Sequence, residues 1–258
     1  MPSPHVRDRR PSSRCSWSPY DNLFDGFTTH WSGPVASLLG IMRVDNIAYL
    51  FQGSEVTAGG ILPVVKPTQA NVTVFSTQTQ YVFTAGGVAL TLTYSTPLLP
   101  SQMDLMAQPS TYVTFAVAST DGKQHSVQLY YDFTGEVITN SAATNMSWAR
   151  VPLSAAPQTT TLRLGATQQN PVSQTTDRIA WGYAYATASN TVNDGLSTVL
   201  LASETTRNTF CTTGNIPTTD DPAPSRAVRM HPANAATRKP GLFCALHPCT
   251  LHSLPCLR

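Results

Sequence analysis

The feature that most constrains the fold is a succession of short segments with strand-type composition, recurring roughly every ten residues between turn signals. Residues 88–94 show it most clearly, because apolar side chains alternate with Thr at the period of two that a half-buried strand requires. No amphipathic helical stretch of about ten or more residues interrupts the series. The pattern therefore predicts an all-β fold, an antiparallel β-sandwich. The expected strands are residues 42–51, 71–75, 80–83, 88–94, 111–119, 126–133, 147–153, 159–164, 179–187 and 197–201. Ala85, Gly86 and Gly87 fit a hairpin turn between two of them.

The composition supports this prediction and excludes several other classes. Charged residues make up only 12% of the 258-residue chain, about half the share in an ordinary soluble domain. Thr, Ser, Asn and Gln replace them, which is typical of a strand-rich chain and excludes coiled coils and charged disorder. Since there is no apolar run as long as about 18 residues, no membrane-spanning helix is expected.

The charges divide the chain into three parts. The body between Cys15 and Val228 contains 8 Lys or Arg and 13 Asp or Glu, whereas both ends are basic. We therefore expect an aberrant, disordered segment over residues 1–15, a sandwich domain over 16–228 and a disordered, aberrant tail over 229–258. The basic residues at the ends are too sparse to predict nucleic-acid binding. No apolar stretch follows the N-terminal charges, so no signal peptide is predicted and the chain taken literally is cytoplasmic.

No motif predicts a cofactor. The glycine pairs at 59–60 and 86–87 lack the spacing of a phosphate-binding loop, and no nucleophile elbow occurs. The C-terminal residues Cys244, His247, Cys249, His252 and Cys256 are of zinc-ligand type, but their spacing is too compressed for a standard finger. We interpret them as incidental to a tail and predict no metal site.

The acid–base candidates are Asp132 and Glu136, two carboxylates four residues apart at the end of a strong strand. The alternative, which we favour, is that they cap a turn around Gly135 and face solvent. His30 beside Trp31 is either part of a polar site or a hydrogen-bonded packing residue.

Asp104 and His125 are further acid–base candidates. The sequence places no two of these five residues (Asp132, Glu136, His30, Asp104 and His125) around a common cavity. Asn71 and Asn145 each begin an Asn-X-Ser/Thr pattern and are candidate N-glycosylation sites.

The order of several longer motifs resembles the fungal glutaminase A-like family. They include SWSPYDNLFDG at 16–26, MRVDNIAYLFQG at 42–53, PSTYVTFAVASTDGKQHSVQLYYDFTGE at 109–136, NMSWAR at 145–150 and RIAWGYAY at 178–185. The resemblance extends over about residues 16–228 and covers the family's N-terminal part. It implies a secreted protein, an N-terminal β-sandwich followed by a helical domain, and hydrolysis of L-glutamine to L-glutamate and ammonia.

Because the helical domain has no counterpart in the motifs, the resemblance implies a truncated, non-catalytic domain with a surface for that partner. A carbohydrate- or surface-binding sandwich is the alternative. The resemblance assigns no catalytic residue. Both basic ends depart from the family pattern, and we expect them to arise from translation out of frame or across an intron.

Within the predicted sandwich, the core is expected to contain large side chains of the strongest strands: Tyr81, Phe83, Leu90, Leu92, Tyr112, Phe115, Val117, Leu129 and Trp181. Along residues 112–117 the alternating sets cannot share one face, so one set must be the more exposed.

Overall fold

The computed structural model describes residues 16–30, 32–57, 59–107, 110–139, 144–152, 159–171, 181–189, 197–221 and 240–250, the last as backbone. The predicted all-β, antiparallel fold is confirmed. The described strands are β1 (Ser16–Trp17), β2 (Thr29–His30), β3 (Leu38–Val44), β4 (Ile47–Gln52), β5 (Val56–Thr57), β6 (Gly60–Ile61), β7 (Thr68–Val74), β8 (Gln78–Ala85), β9 (Val88–Ser95), β10 (Tyr112–Ser119), β11 (Ser126–Thr134), β12 (Met146–Arg150), β13 (Thr159–Ala166), β14 (Tyr183–Ser189), β15 (Ser197–Ser203) and β16 (Pro240–Thr250). The described helices are α1 (Met103–Ala107), α2 (Thr205–Thr213) and a 3-10 turn at Gly135–Val137.

The main core lies between two sheets. A four-stranded sheet has the order β10-β9-β8-β7, and a five-stranded sheet has the order β15-β16-β11-β3-β4. Phe51 of the second sheet packs on Phe83 and Phe115 of the first, with ring centroids 5.8 and 6.1 Å apart. Alternation along β9 explains this layer, since Val88, Leu90 and Leu92 are fully buried and the intervening Ala89 and Thr91 point to the other face.

Two tight turns set the register of the sandwich. Gly86 and Gly87 both have positive φ and join β8 to β9, as the sequence indicates. The segment 42–51, predicted as one strand, is instead a hairpin: Asp45 and Asn46 adopt φ of 47° and 72° between β3 and β4. Asp and Asn tolerate this left-handed region better than other residues with a side chain, so the turn forms without Gly.

Strand β10 confirms the expected alternation: Val113, Phe115 and Val117 pack against the core, whereas Tyr112, Thr114 and Ala116 are exposed. The expectation of a buried Tyr112 is wrong, because its side chain lies on the outer face and is 58% exposed. Trp181 is half-buried rather than buried. The other expected core residues of β8, β9 and β11, namely Tyr81, Phe83, Leu90, Leu92 and Leu129, are buried.

A second core forms beside the first. The three-stranded sheet β12-β13-β14 packs its inner residues Leu162 and Leu164 against Val199 and Leu201 of β15. Phe133, at the end of β11, contacts the same cluster. The five-stranded sheet is therefore covered on one face by two neighbouring sheets.

Helix α2 covers part of the opposite face of the five-stranded sheet. Phe210 packs on Tyr130 of β11 with ring centroids 5.1 Å apart. The helix ends at Gly214 in the left-handed conformation, and Arg43 donates to the Thr212 carbonyl in the last turn, where a cation is favourable. The sequence TTRNTFCTT has weak helix propensity, so these tertiary contacts explain why the pattern did not predict it. Neither described helix has the length and apolarity needed to cross a membrane.

Strand β16 corrects the prediction that residues 229–258 lack regular structure. Its backbone pairs with β11 on one side and β15 on the other. Residues 242–246 are a continuous apolar run, which is typical of a central strand and lacks the alternation we required. Pro248 lies at the irregularity opposite residues 127–129, where a missing N–H donor is tolerated. The remaining predicted tail residues, 1–15, 229–239 and 251–258, lie outside the described part.

Candidate functional site

Asp132 is placed by the alternation of β11. Leu129, Tyr131 and Phe133 face the sandwich, so Tyr130 and Asp132 face α2 on the other side of the sheet. Asp132 is 0% exposed. The favoured expectation of a solvent-facing turn residue is therefore wrong for Asp132, which lies inside a central strand.

Arg207 holds Asp132 from α2. Its Nε donates to Oδ2 at 2.7 Å and its Nη2 donates to Oδ1 at 2.6 Å, so both carboxylate oxygens are engaged by one guanidinium. Nη1 donates to Glu204 Oε1 at 3.1 Å. Arg207 and Glu204 are also buried. This two-pronged geometry fixes the orientation of the carboxylate as well as neutralising it.

The buried surroundings shift the pKa values of three groups: Arg207, Tyr130 and Cys211. Burial lowers the pKa of Arg207, but the adjacent Asp132 outweighs burial, so the pKa is raised and the guanidinium stays charged. Burial, and then the charge of Asp132, raise the pKa of Tyr130 well above its ordinary value. Burial raises the pKa of the Cys211 thiol to about 12. Neither the phenol nor the thiol is therefore an activated nucleophile at neutral pH.

Glu136 has a different environment. It lies in the 3-10 turn that begins at Gly135, which agrees with the turn expected there. Its Oε2 accepts a hydrogen bond from the Thr134 hydroxyl at 2.8 Å. The two sequence-predicted carboxylates thus lie in different places: Asp132 lies in a central strand against α2, and Glu136 lies in the turn that follows that strand.

The other candidates are dispersed. His30 is buried, and its Nδ1 lies 2.7 Å from the Ser32 hydroxyl. These contacts fit the interpretation of His30 as a hydrogen-bonded packing residue. Asp104 is exposed in α1. In the part of the chain with described side chains, no three His, Cys, Asp or Glu residues form a group suited to a metal ion.

His125 forms a second charged cluster at one end of the sandwich. Its Nδ1 lies 2.6 Å from Asp45 in the β3–β4 turn, and its Nε2 lies 2.9 Å from Asp121 in the β10–β11 loop. These hydrogen bonds raise the pKa of His125, lower the pKa of Asp45 and lower the pKa of Asp121 to about 2. The His125 side chain therefore links the β3–β4 turn to the β10–β11 loop.

We expect the contribution of this cluster to stability to depend on pH. A raised His pKa stabilises the fold fully below the ordinary value of 6.5 and progressively less as pH rises through the folded-state pKa. The lowered carboxylate pKa values stabilise it above their ordinary value of 3.8 and are lost as pH falls toward 2. Thermal unfolding midpoints measured from about pH 3 to about pH 9 should fall on the alkaline side in the wild type. His125→Gln should flatten that slope, and an unchanged slope would contradict the assignment.

Sequence reasoning missed Glu204, Arg207, Asp45 and Asp121. One signal was available for Arg207: a carboxylate inside an apolar strand needs a cation or a change of protonation state. Between Cys15 and Val228 there are only eight Lys and Arg residues, so few residues could be the cation that pairs with Asp132.

The comparisons with known proteins place the chain in a family. Residues 77–241 match the family model described as a domain of unknown function, DUF5127. The chain belongs to the DUF5127 family. This assignment spans most of the sandwich and includes β8–β15, Asp132 and Arg207.

One curated relative adds a distant similarity. Glutaminase A from Aspergillus oryzae (strain ATCC 42149 / RIB 40) is 29% identical over 109 residues. The aligned region covers 42% of the DUF5127 chain and 15% of the length of glutaminase A. No solved structure matches the chain. The expected relation to glutaminase A is therefore supported loosely and over a part of the chain.

Proposed function

We propose that this chain is the β-sandwich module of a glutaminase A-like amidohydrolase, acting in an extracellular context. Its role is to support the rest of such an enzyme, including the helical domain that the resemblance implies. Hydrolysis of L-glutamine is assigned to the whole enzyme and not to the sandwich.

The observation that carries this proposal is the engagement of Asp132 by Arg207. A general base must come within hydrogen-bond reach of the attacking water, about 2.6–3.2 Å. Asp132 has both oxygens on one guanidinium and no exposed surface. The strongest carboxylate candidate of the sequence is thus used to fasten α2 to the central sheet.

An exposed apolar end of the four-stranded sheet supports a partner surface. Tyr112 pairs with Ser95 at this end, and the Phe75 amide bonds to Gln78 across the adjoining turn. Phe75 and Tyr112 are 54% and 58% exposed, and Leu99 and Met103 follow β9 in the chain with 48% and 72% exposure. Several large apolar side chains exposed on neighbouring segments are typical of a contact region.

A second candidate function rests on another face. On the outer side of β14, Tyr183 and Tyr185 are 41% and 56% exposed, and the Arg163 guanidinium lies 4.5 Å from the Tyr183 ring centroid. Aromatic rings on an open sheet face suit carbohydrate binding. Glycan-array binding lost in Tyr185→Ala and kept in Tyr112→Ala would favour this alternative.

Ammonia release from L-glutamine tests the first proposal. The purified chain, shown to be folded by a cooperative urea transition, is assayed with a glutamate dehydrogenase-coupled readout beside Asp132→Asn and Glu136→Gln. We expect no turnover above the buffer control in any of the three. Turnover by the wild type that either substitution abolishes without unfolding would place the catalytic site in the sandwich and overturn the proposal.

A further inference from the structure

Both Asn-X-Ser/Thr patterns lie on or next to edge strands. Asn71 and Thr73 belong to β7, the last strand of the four-stranded sheet. Asn145 immediately precedes β12, the first strand of the three-stranded sheet, and Ser147 belongs to it. Among the described strands, β7 pairs only with β8, and β12 pairs only with β13. An edge strand presents unpaired backbone N–H and C=O groups, which are a template for association.

The residues around Asn71 leave the β7 edge open to association with another chain. Val72 and Val74 on the same strand are 36% and 59% exposed. The strand sequence TQANVTV contains no charged residue and no Pro, the usual devices that block edge-to-edge pairing. A bulge between Gln69 and Asn71 interrupts the register only at the beginning of the strand. The edge from Asn71 to Val74 is therefore left without the usual protection.

The Asn71 side chain is accessible and is hydrogen-bonded to the Thr73 hydroxyl of its own acceptor pattern. It is exposed, and its Nδ2 donates to the Thr73 hydroxyl at 3.2 Å, since residues two apart in a strand share a face. The acceptor amide and the hydroxyl that defines the pattern therefore lie side by side on one face of the strand, with Asn71 exposed and Thr73 half-buried.

Asn145 is also exposed, and its backbone is hydrogen-bonded as well. Its side chain is exposed, and its carbonyl accepts a hydrogen bond from the Thr167 amide at 2.8 Å. Ser147 is exposed on the same side, whereas Met146 between them is buried in the second core. A group attached to Asn145 extends into solvent while the strand stays anchored.

We propose that Asn71 and Asn145 are N-glycan acceptors and that the glycan on Asn71 shields the β7 edge from association. The Asn Nδ2 forms a bond to C1 of the first sugar of a lipid-diphosphate-linked oligosaccharide, the C1–oxygen bond breaks, the lipid diphosphate leaves with the electron pair, and one Nδ2 proton passes to a base. An attached glycan is bulky and solubilising. The inference rests on the proposed function only through the extracellular context.

The experiment is secretion of the full chain, behind a leader, from a yeast that N-glycosylates. Intact mass and peptide mapping before and after N-glycosidase treatment are measured for wild type, Asn71→Gln, Asn145→Gln and Thr73→Ser. The Thr73→Ser variant keeps the acceptor pattern and is the matched control. Each Gln variant should lose one glycan, and Thr73→Ser should keep both. Light scattering should show several-fold more association for Asn71→Gln and for enzymatically deglycosylated protein.

Two results would overturn the inference. Unmodified Asn71 and Asn145 in both secreted and cell-retained material would remove the acceptor sites. Glycans on both residues with Asn71→Gln as monodisperse as the wild type would remove the shielding role. Neither result depends on glutamine turnover, so failure here is distinguishable from failure of the proposed function.

Discussion

Arg207→Met should lower the free energy of unfolding by about 3–5 kcal/mol, measured by urea titration. The substitution keeps much of the side-chain volume but leaves Asp132 and Glu204 buried without their cation. Removing one partner of a buried ion pair is far more costly than replacing the whole pair with apolar groups.

Lys66→Met is the matched control for this variant. Lys66 Nζ lies 3.1 Å from Asp25 Oδ1, the same distance that separates Arg207 Nη1 from Glu204 Oε1. Both Lys66 and Asp25, however, are substantially exposed. An exposed pair contributes about 0–1 kcal/mol. Equal effects of the two substitutions would show that burial of the Arg207 cluster is not what makes it stabilising.

Phe83→Ala should cost about 3–5 kcal/mol in the same measurement, because it opens a cavity at the centre of the main core. Phe83 is fully buried and contacts Phe24, Phe51 and Tyr81, with ring centroids 6.4, 5.8 and 6.3 Å away.

Phe75→Ala is the matched control, because it removes the same phenyl ring from a position that is 54% exposed. It should change the free energy of unfolding by no more than about 0.5 kcal/mol. A small loss for Phe83→Ala would contradict the position assigned to the core between the two sheets.

The strands that follow local rules were predictable from the sequence. Residues 88–94 show the period of two, and β9 extends over them with Val88, Leu90 and Leu92 buried. The glycine pair 86–87 predicted the preceding turn because two consecutive residues there adopt positive φ. Local pattern and tertiary packing agree in this hairpin.

Elements that depend on distant partners were not predictable in the same way. The burial of Asp132 depends on Arg207, which lies 75 residues later in the chain. The periodicity of a single strand or helix does not reveal a contact between residues so far apart in sequence. Helix α2 has a poor helical sequence and is held by contacts with β3 and β11. Strand β16 is central, so its apolar run lacks the alternation that marks half-buried strands.

If Asp132 is a structural carboxylate, its free energy of interaction with Arg207 must be large. The measurement is a double-mutant cycle of Asp132→Asn, Arg207→Met and the double variant, with free energies of unfolding from urea titration. We expect the double variant to lose at least ~2 kcal/mol less than the sum of the single losses. Losses that add to within ~0.5 kcal/mol would contradict it, because Asp132 would then not be held by Arg207.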